Sequence, residues 1–379
     1  MRFTDDPKAM LHTPEPHATR IPLNDLQRQT QALRIELSES LDRVLDSGRF
    51  VMADEVSSFE REFANYLELP SAIAVANGTD ALEIALRAVG CEPGDEVITV
   101  ANAGMYATTA AMQVGCVPVF AEIEPHNLQI SSDSVAKLIG PRTKVIVVTH
   151  LFGAMADIEA ICELTQLRGL AVIEDCSQAH GAANSHAKAG GFGDIGTFSF
   201  YPSKNLGAIG DAGALVCRDE SIARRIRELS QYGWSDRFHS QIPYGRNSRL
   251  DELQAAILRT KLSYLDQWNA CRRDIVEQYA QAASNQWTLP YTCNSSFVAH
   301  LCVAQHDDRA TAIDKLASAG IDTAIHYPVP DHRQRSLHGQ LWRADELDVT
   351  EHAQERILSL PCFPELTAAE VARVCDHLL

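Results

Sequence analysis

Residues 144–182 read KVIVVTHLFGAMADIEAICELTQLRGLAVIEDCSQAHGA, and this stretch decides the fold. KVIVVTHL and LAVIED are short β-branched runs, too apolar to leave one face in water, as expected of strands covered on both sides. Between them DIEAICELTQLRG carries apolar residues at helical spacing and stops at a glycine. Strand, helix, strand of this length is a crossover unit, which brings the two strands together in parallel.

The same alternation extends in both directions. SAIAVA (71–76), DEVITVA (95–101) and VPVFAEI (117–123) are further strands, and DALEIALRAVG (80–90) is a further helix. GTFSFY (196–201) and AGALVCRD (212–219) lie close together and predict a strand, a glycine-rich loop and an antiparallel neighbour. Upstream, LNDLQRQTQALRIELSESLDRVLDSG (23–48) and SSFEREFANYLEL (57–69) have helical spacing. Downstream, 248–284 is a long helical region with a kink or break. FVAHLCVAQ, RATAIDKLASAGI and TAAEVARVCDHLL then suggest a small α/β unit. The expected organisation is a flexible segment over 1–20, a large domain over 21–255, and a bridging helix with a small C-terminal domain over 256–379. The fold class is α/β, with a mostly parallel sheet between helices.

The 379 residues carry 33 Lys and Arg against 50 Asp and Glu, a net charge of -17 that repels nucleic acid and anionic membrane. A helix N-terminus still suits a small anion locally. The ten cysteines lack the spacing of a zinc site or a disulfide framework, which suggests a reducing compartment. No run is long enough to span a bilayer, and the opening MRFTDDPKAMLHTPEPHATR has no signal-peptide core. A cytoplasmic location is expected.

Three signals carry chemistry. LAVIED ends in Glu174 and Asp175, and the carboxyl ends of parallel strands are where ligands bind. Asp175 reads either as a helix cap or as a carboxylate that keeps a pyridine ring nitrogen protonated. VANGTDALEIALRAV (75–89) runs a strand into a helix through Asn77, Gly78, Thr79 and Asp80, which is an ordinary N-cap or an anion cradle. Lys204, in GTFSFYPSKNLGAIGDAG (196–213), follows Asp175 by 29 residues among small neighbours. It is either a solvated loop residue or a desolvated amine with a lowered pKa, as a Schiff base requires.

Together EDCSQAHGA, FSFYPSKNLGAIGDAG, NGTDAL and GRNSRLDELQAAILRTKL resemble the DegT/DnrJ/EryC1/StrS sugar aminotransferases, a pyridoxal-phosphate family. The resemblance runs from IPLNDLQRQ and LDSGRFVMADEVSSFEREFANYL through HYPVP to LPCFPEL. It implies the type I fold of aspartate aminotransferase, with a seven-stranded type of sheet. Lys204 would form the Schiff base with pyridoxal 5'-phosphate and move the proton that converts it to pyridoxamine 5'-phosphate. Asp175 would pair with the pyridine nitrogen, Gln178 would face the phenolic oxygen, and Gly78, Thr79 and Ser199 would hold the phosphate.

Asn247 would reach the phosphate of a neighbouring subunit's cofactor, which implies a homodimer with shared sites. Arg249 is the candidate for the donor carboxylate. His326 and Tyr327 are candidates for the sugar, with Tyr201 and His180 lining the same pocket. A metal reading of His326 with His332 is rejected, because no carboxylate or cysteine cluster accompanies them. Two departures stand out. ANAGMYATT replaces the usual PANTYIAT, and Tyr106 rather than Met105 is expected to stack on the ring. GDAG replaces GDGG, putting Ala212 where a glycine is common.

The implied reaction moves an amino group from L-glutamate to a nucleotide-linked keto sugar, most like a dTDP-linked 3-keto-6-deoxyhexose. A 4-keto sugar or cyclitol aminotransferase would keep every motif quoted. Dehydratases on this scaffold carry histidine in place of the lysine, so Lys204 argues against them. A non-catalytic cofactor-binding regulator would have little use for Lys204, Asp175 and Gln178 together.

Overall fold

The computed structural model describes residues 20–379, so the segment expected to be flexible over 1–20 lies, Arg20 apart, outside the described residues. Seven strands build the large sheet: β1 (Ser71–Val75), β2 (Glu96–Val100), β3 (Val117–Ala121), β4 (Thr143–Thr149), β5 (Ala171–Asp175), β6 (Ile195–Ser199) and β7 (Gly213–Cys217). Their order is β1-β7-β6-β5-β4-β2-β3, and a two-residue strand, Arg343–Ala344, adds an eighth at the β3 edge. Only β7 runs against its neighbours, as the short connection from GTFSFY predicts. The carboxyl ends of β1, β6, β5 and β4 therefore open on one side of the sheet.

Alternation along each strand sets the layers. Ile73, Val75, Val145, Val147 and Ile173 pack with the helices Gly78–Ala88, Tyr106–Val114 and Glu220–Leu229 on one face. On the other face Ile146, Val148 and Val172 meet Ser132–Leu138 and Ile158–Gln166. Further along that face, Ala72, Ala74, Phe198 and Phe200 meet Asp54–Leu67 and Glu252–Leu262. Phe63 sits there against Phe59, Phe198 and Phe200 at 5.0–5.5 Å between ring centres. Truncating such a ring to alanine costs about 3–5 kcal/mol.

The helical region expected over 248–284 is two helices, Glu252–Leu262 and Leu265–Ala282, broken at Ser263 and Tyr264. A second sheet, Trp287–Thr288, Cys302–His306 and Ile357–Leu360, is antiparallel and shares a core with Leu265–Ala282 and Ala368–Asp376. Ile21 joins that core and bridges Ile321. Among the described residues no helix is long and apolar enough to cross a membrane.

Candidate active site

At the carboxyl ends of β1, β4, β5 and β6 lies a cavity of about 590 Å³, closed on the far side by residues 300–301, 326–327 and 360–362 around the second sheet. Eleven residues singled out in the sequence line it: Asn77, Gly78, Thr79, Tyr106, Asp175, Gln178, Ser199, Tyr201, Lys204, His326 and Tyr327.

Asp175 ends β5 with its backbone carbonyl taken by the His150 amide at 3.0 Å. Its Oδ1 accepts from the Ser177 amide at 3.1 Å, and no hydrogen bond among the described residues uses Oδ2. Gln178 is fixed at both ends of its amide: Oε1 accepts from the Phe152 backbone N–H at 2.7 Å, and Nε2 donates to the Tyr327 hydroxyl at 3.1 Å. Lys204 Nζ makes neither a hydrogen bond nor an ion pair with the described residues. Burial lowers its pKa to about 8, against the opposing pull of Asp175.

The strand-to-helix turn after β1 is built for an anion. Asn77 caps the helix Gly78–Ala88 by accepting from the Asp80 amide at 2.8 Å, which leaves the first-turn amides of Gly78 and Thr79, two residues that line the cavity, without a partner inside the helix. Gly78 is required here: a Cβ would stand 2.6 Å from Ser199 Cβ. Tyr106 opens its helix and lines the cavity, with its ring edge-on to Tyr327 at 6.1 Å, whereas Met105 packs outward beside Leu337 and Leu347. Ala212 is buried in the core behind β6, and its carbonyl accepts from the Phe200 amide at 2.8 Å.

Three expected residues stand elsewhere. His180 is fully buried behind the wall, its ring 5.5 Å from both Phe198 and Phe200, because the turn Ala179–Ala182 carries it inward. Burial, and then the charge of Lys204, lower its pKa to about 3. Asn247 is exposed on the surface, its backbone bridging Gln231. Arg249 lines a separate cavity of about 150 Å³ with Met52, Val56 and Glu60. Its guanidinium has no hydrogen bond or ion pair with the described residues.

Among the lining residues that sequence reasoning missed are Asn24, Asp211, His300 and Leu301. Asn24 lies in IPLNDLQRQ and Asp211 in GDAG, both quoted motifs, but His300 sits in a run that reads only as a strand. Glu174, the neighbour of Asp175, points to the opposite face. It accepts amide hydrogens from Gly190, Phe192 and Gly193 at 2.8–2.9 Å, and its Oε2 lies 2.9 Å from His150 Nε2. His150 Nδ1 accepts from the Ala156 amide, so Nε2 carries the hydrogen that bonds Glu174. With Cys176 these are the one group of His, Cys and carboxylate atoms at metal-ligating distance among the described residues. Their bonding capacity is already used inside the fold. His332 pairs with Glu351, and His326 Nδ1 with Ser359 Oγ at 2.7 Å.

The free Asp175 oxygen, the open amides beside Ser199 and the lone amine fit pyridoxal phosphate, whose ring nitrogen, phosphate and aldehyde require those partners. The sequence profile of the DegT/DnrJ/EryC1/StrS aminotransferase family matches residues 31–379. The dTDP-3-amino-3,4,6-trideoxy-alpha-D-glucose transaminase of Streptomyces venezuelae is 39% identical over 362 residues, 94% of this chain and 95% of that protein. The crystal structure of S. venezuelae DesV in complex with a ketimine intermediate superposes with a TM-score of 0.91 at 38% identity, covering 95% of this chain and 98% of that one. NtdA from Bacillus subtilis, solved with bound cofactor PMP, gives a TM-score of 0.89 at 31% identity, with 96% and 85% covered. Fold and relatives together define a pyridoxal-phosphate-dependent aminotransferase. The chain belongs to the DegT/DnrJ/EryC1/StrS aminotransferase family.

Proposed function

We propose that this enzyme moves the amino group of L-glutamate to the keto carbon of a nucleotide-linked sugar, and that the sugar is a dTDP-linked 3-keto-6-deoxyhexose. The observation that carries the reading is Lys204, an amine with no hydrogen-bond partner among the described residues, in a cavity it shares with Asp175 and a helix N-terminus. The dTDP-3-amino sugar made by the S. venezuelae relative supports the choice of acceptor.

Pyridoxal phosphate, when bound, supplies a conjugated ring that takes up the electron pair left at the donor's α-carbon. Asp175 Oδ2 would keep the ring nitrogen protonated. Gly78, Thr79 and Ser199 would hold the phosphate, Tyr106 would cover the ring, and Gln178 would bind the phenolic oxygen. Lys204 would take up the α-proton at Nζ and deliver it to the former aldehyde carbon on the other side of the nitrogen, a transfer that an amine with a pKa near 8 performs well at neutral pH. His326, Tyr327 and Tyr201 face the space left for the sugar. Donor and acceptor use one site in turn, so the kinetics are ping-pong.

Among the described residues no arginine lines the cavity, although a donor carboxylate and a diphosphate both call for one. Arg249 has no hydrogen bond or ion pair among the described residues, and Asn247 is exposed. We therefore place both in the cavity of a second subunit, as parts of a homodimer with shared sites. The ten cysteines are all free thiols, which agrees with a reducing cytoplasm.

The test is the absorption spectrum of the purified protein. The reading expects a band near the visible edge that disappears on adding L-glutamate and returns with the correct keto sugar from a panel of 3-keto and 4-keto nucleotide sugars. A spectrum indifferent to glutamate contradicts it.

A further inference from the structure

Asn205 follows Lys204 but turns its side chain into the interior. Its Nδ2 donates to the Val298 carbonyl at 2.9 Å and to Asn269 Oδ1 at 2.8 Å, and Asn269 Nδ2 donates to the His180 carbonyl at 2.8 Å. Backbone carbonyls only accept, so both amides are fixed in orientation. Asn205 Oδ1 is left as an acceptor, 3.0 Å from His300 Nδ1. The network thus assigns the hydrogen of His300 to Nδ1 and the lone pair to Nε2.

His300 lines the same cavity as Lys204. No described group bonds its Nε2, and that atom is not among those sealed from solvent, so the cavity is what it meets. The backbone is held in place as well. Ala299 has φ 47, in the left-handed region that non-glycine residues seldom occupy, and Arg272 Nη1 reaches the carbonyls of Ala299 and His300.

We propose that His300 is a positioning residue for Lys204: Nζ, which bonds no described group in this structure, turns onto the bare Nε2 during the reaction, and the hydrogen bond it donates there aims its lone pair into the cavity. The inference rests on the reading of Lys204 given above. No proton is transferred to His300; Lys204 takes and returns the proton while one of its N–H bonds is held. The groups that act on His300 are Lys204, Arg272, His180 and His326, and together with burial they keep it well below its ordinary pKa, so it stays neutral. Those that act on Lys204 in turn are burial and Asp175.

Two substitutions separate this role from packing. His300→Asn keeps an amide where Nδ1 meets Asn205 and leaves nothing at Nε2. His300→Gln places its amide oxygen near Nε2 and gives up the Asn205 bond. The full-chain protein is measured for the rate of the glutamate-driven spectral change at saturation, for half-saturation, and for the pH dependence of pyridoxal phosphate capture by the apoenzyme. His300→Asn should slow the saturated rate by about 10- to 100-fold with half-saturation little changed and shift the capture profile, and His300→Gln should recover most of both.

Recovery by Asn and failure of Gln, or unchanged rates in both, overturns the proposal. Nitrogen-15 NMR of histidine-labelled wild-type protein decides the point without a variant, since an Nε2–H tautomer or an imidazolium at His300 also overturns it. A wild-type apoenzyme that captures no pyridoxal phosphate overturns the reading of Lys204 and this inference with it. Normal capture with His300→Asn indistinguishable from wild type overturns this inference alone.

Discussion

Two lysines meet at one loop: Lys261 is buried, and Lys204, part of the loop itself, is half-buried. Lys261, on the helix Glu252–Leu262, donates Nζ to the Gly207 carbonyl at 2.8 Å, three residues beyond Lys204. Lys204 lines the cavity and donates to nothing. Burial lowers both to about 8, opposed by Glu365 for Lys261 and by Asp175 for Lys204. A perturbed amine therefore does not identify the reactive one. What separates them is whether the nitrogen is already committed to the fold. The adjacent carboxylates repeat the contrast: Glu174 is saturated by three amides and His150, while Asp175 keeps an oxygen for the cavity.

The largest effect belongs to Lys204→Ala, which should slow glutamate-driven exchange by a factor on the order of 10⁴ while leaving the thermal unfolding midpoint within a few degrees of wild type. Rapid exchange in that variant would break the comparison. Asp175→Asn comes next, with a loss on the order of 10²-fold in single-turnover exchange and little change in urea unfolding. Its neighbour should behave in the opposite way. Glu174→Gln breaks a buried pair and should cost about 3–5 kcal/mol in denaturant titration, with exchange per folded molecule much less affected.

Lys261→Met sharpens the lysine contrast at smaller scale. It leaves the Gly207 carbonyl without its donor, so about 1–3 kcal/mol of stability should be lost while exchange stays within a few-fold of wild type. The smallest effect is in pH. The folded pKa of Lys261 lies below that of an unfolded lysine, so the unfolded chain binds more protons between pH 8 and about 10.4, and stability from this group rises with pH through that window. Unfolding titrations of apoenzyme at several pH values should show a shallower rise in Lys261→Met than in wild type; an equal slope removes Lys261 from the account.

Much of the fold was legible because its strands are buried on both faces and read as β-branched runs. SAIAVA, DEVITVA, VPVFAEI, KVIVVTHL and LAVIED correspond to β1 to β5. Arg343–Ala344 was not legible, since two residues have no period and their pairing with β3 is fixed by tertiary contacts. In the cavity, the sequence brought forward residues that follow strand ends, Asp175, Ser199, Lys204 and the Asn77–Thr79 turn, because strand and turn signals are local. His300 escaped notice because its partner Asn205 is 95 residues away and both are buried polar groups in apolar runs. His180 was legible as a residue but not as one behind the wall, since the direction of a short turn is set by Phe198 and Phe200 packing against it.

The most direct measurement is reduction of the holoenzyme with borohydride, followed by peptide mass mapping. The account predicts a pyridoxyl-phosphate adduct on the peptide that contains Lys204 and an unmodified peptide containing Lys261. An adduct on Lys261, or an unmodified Lys204 in protein that carries its cofactor, would contradict it.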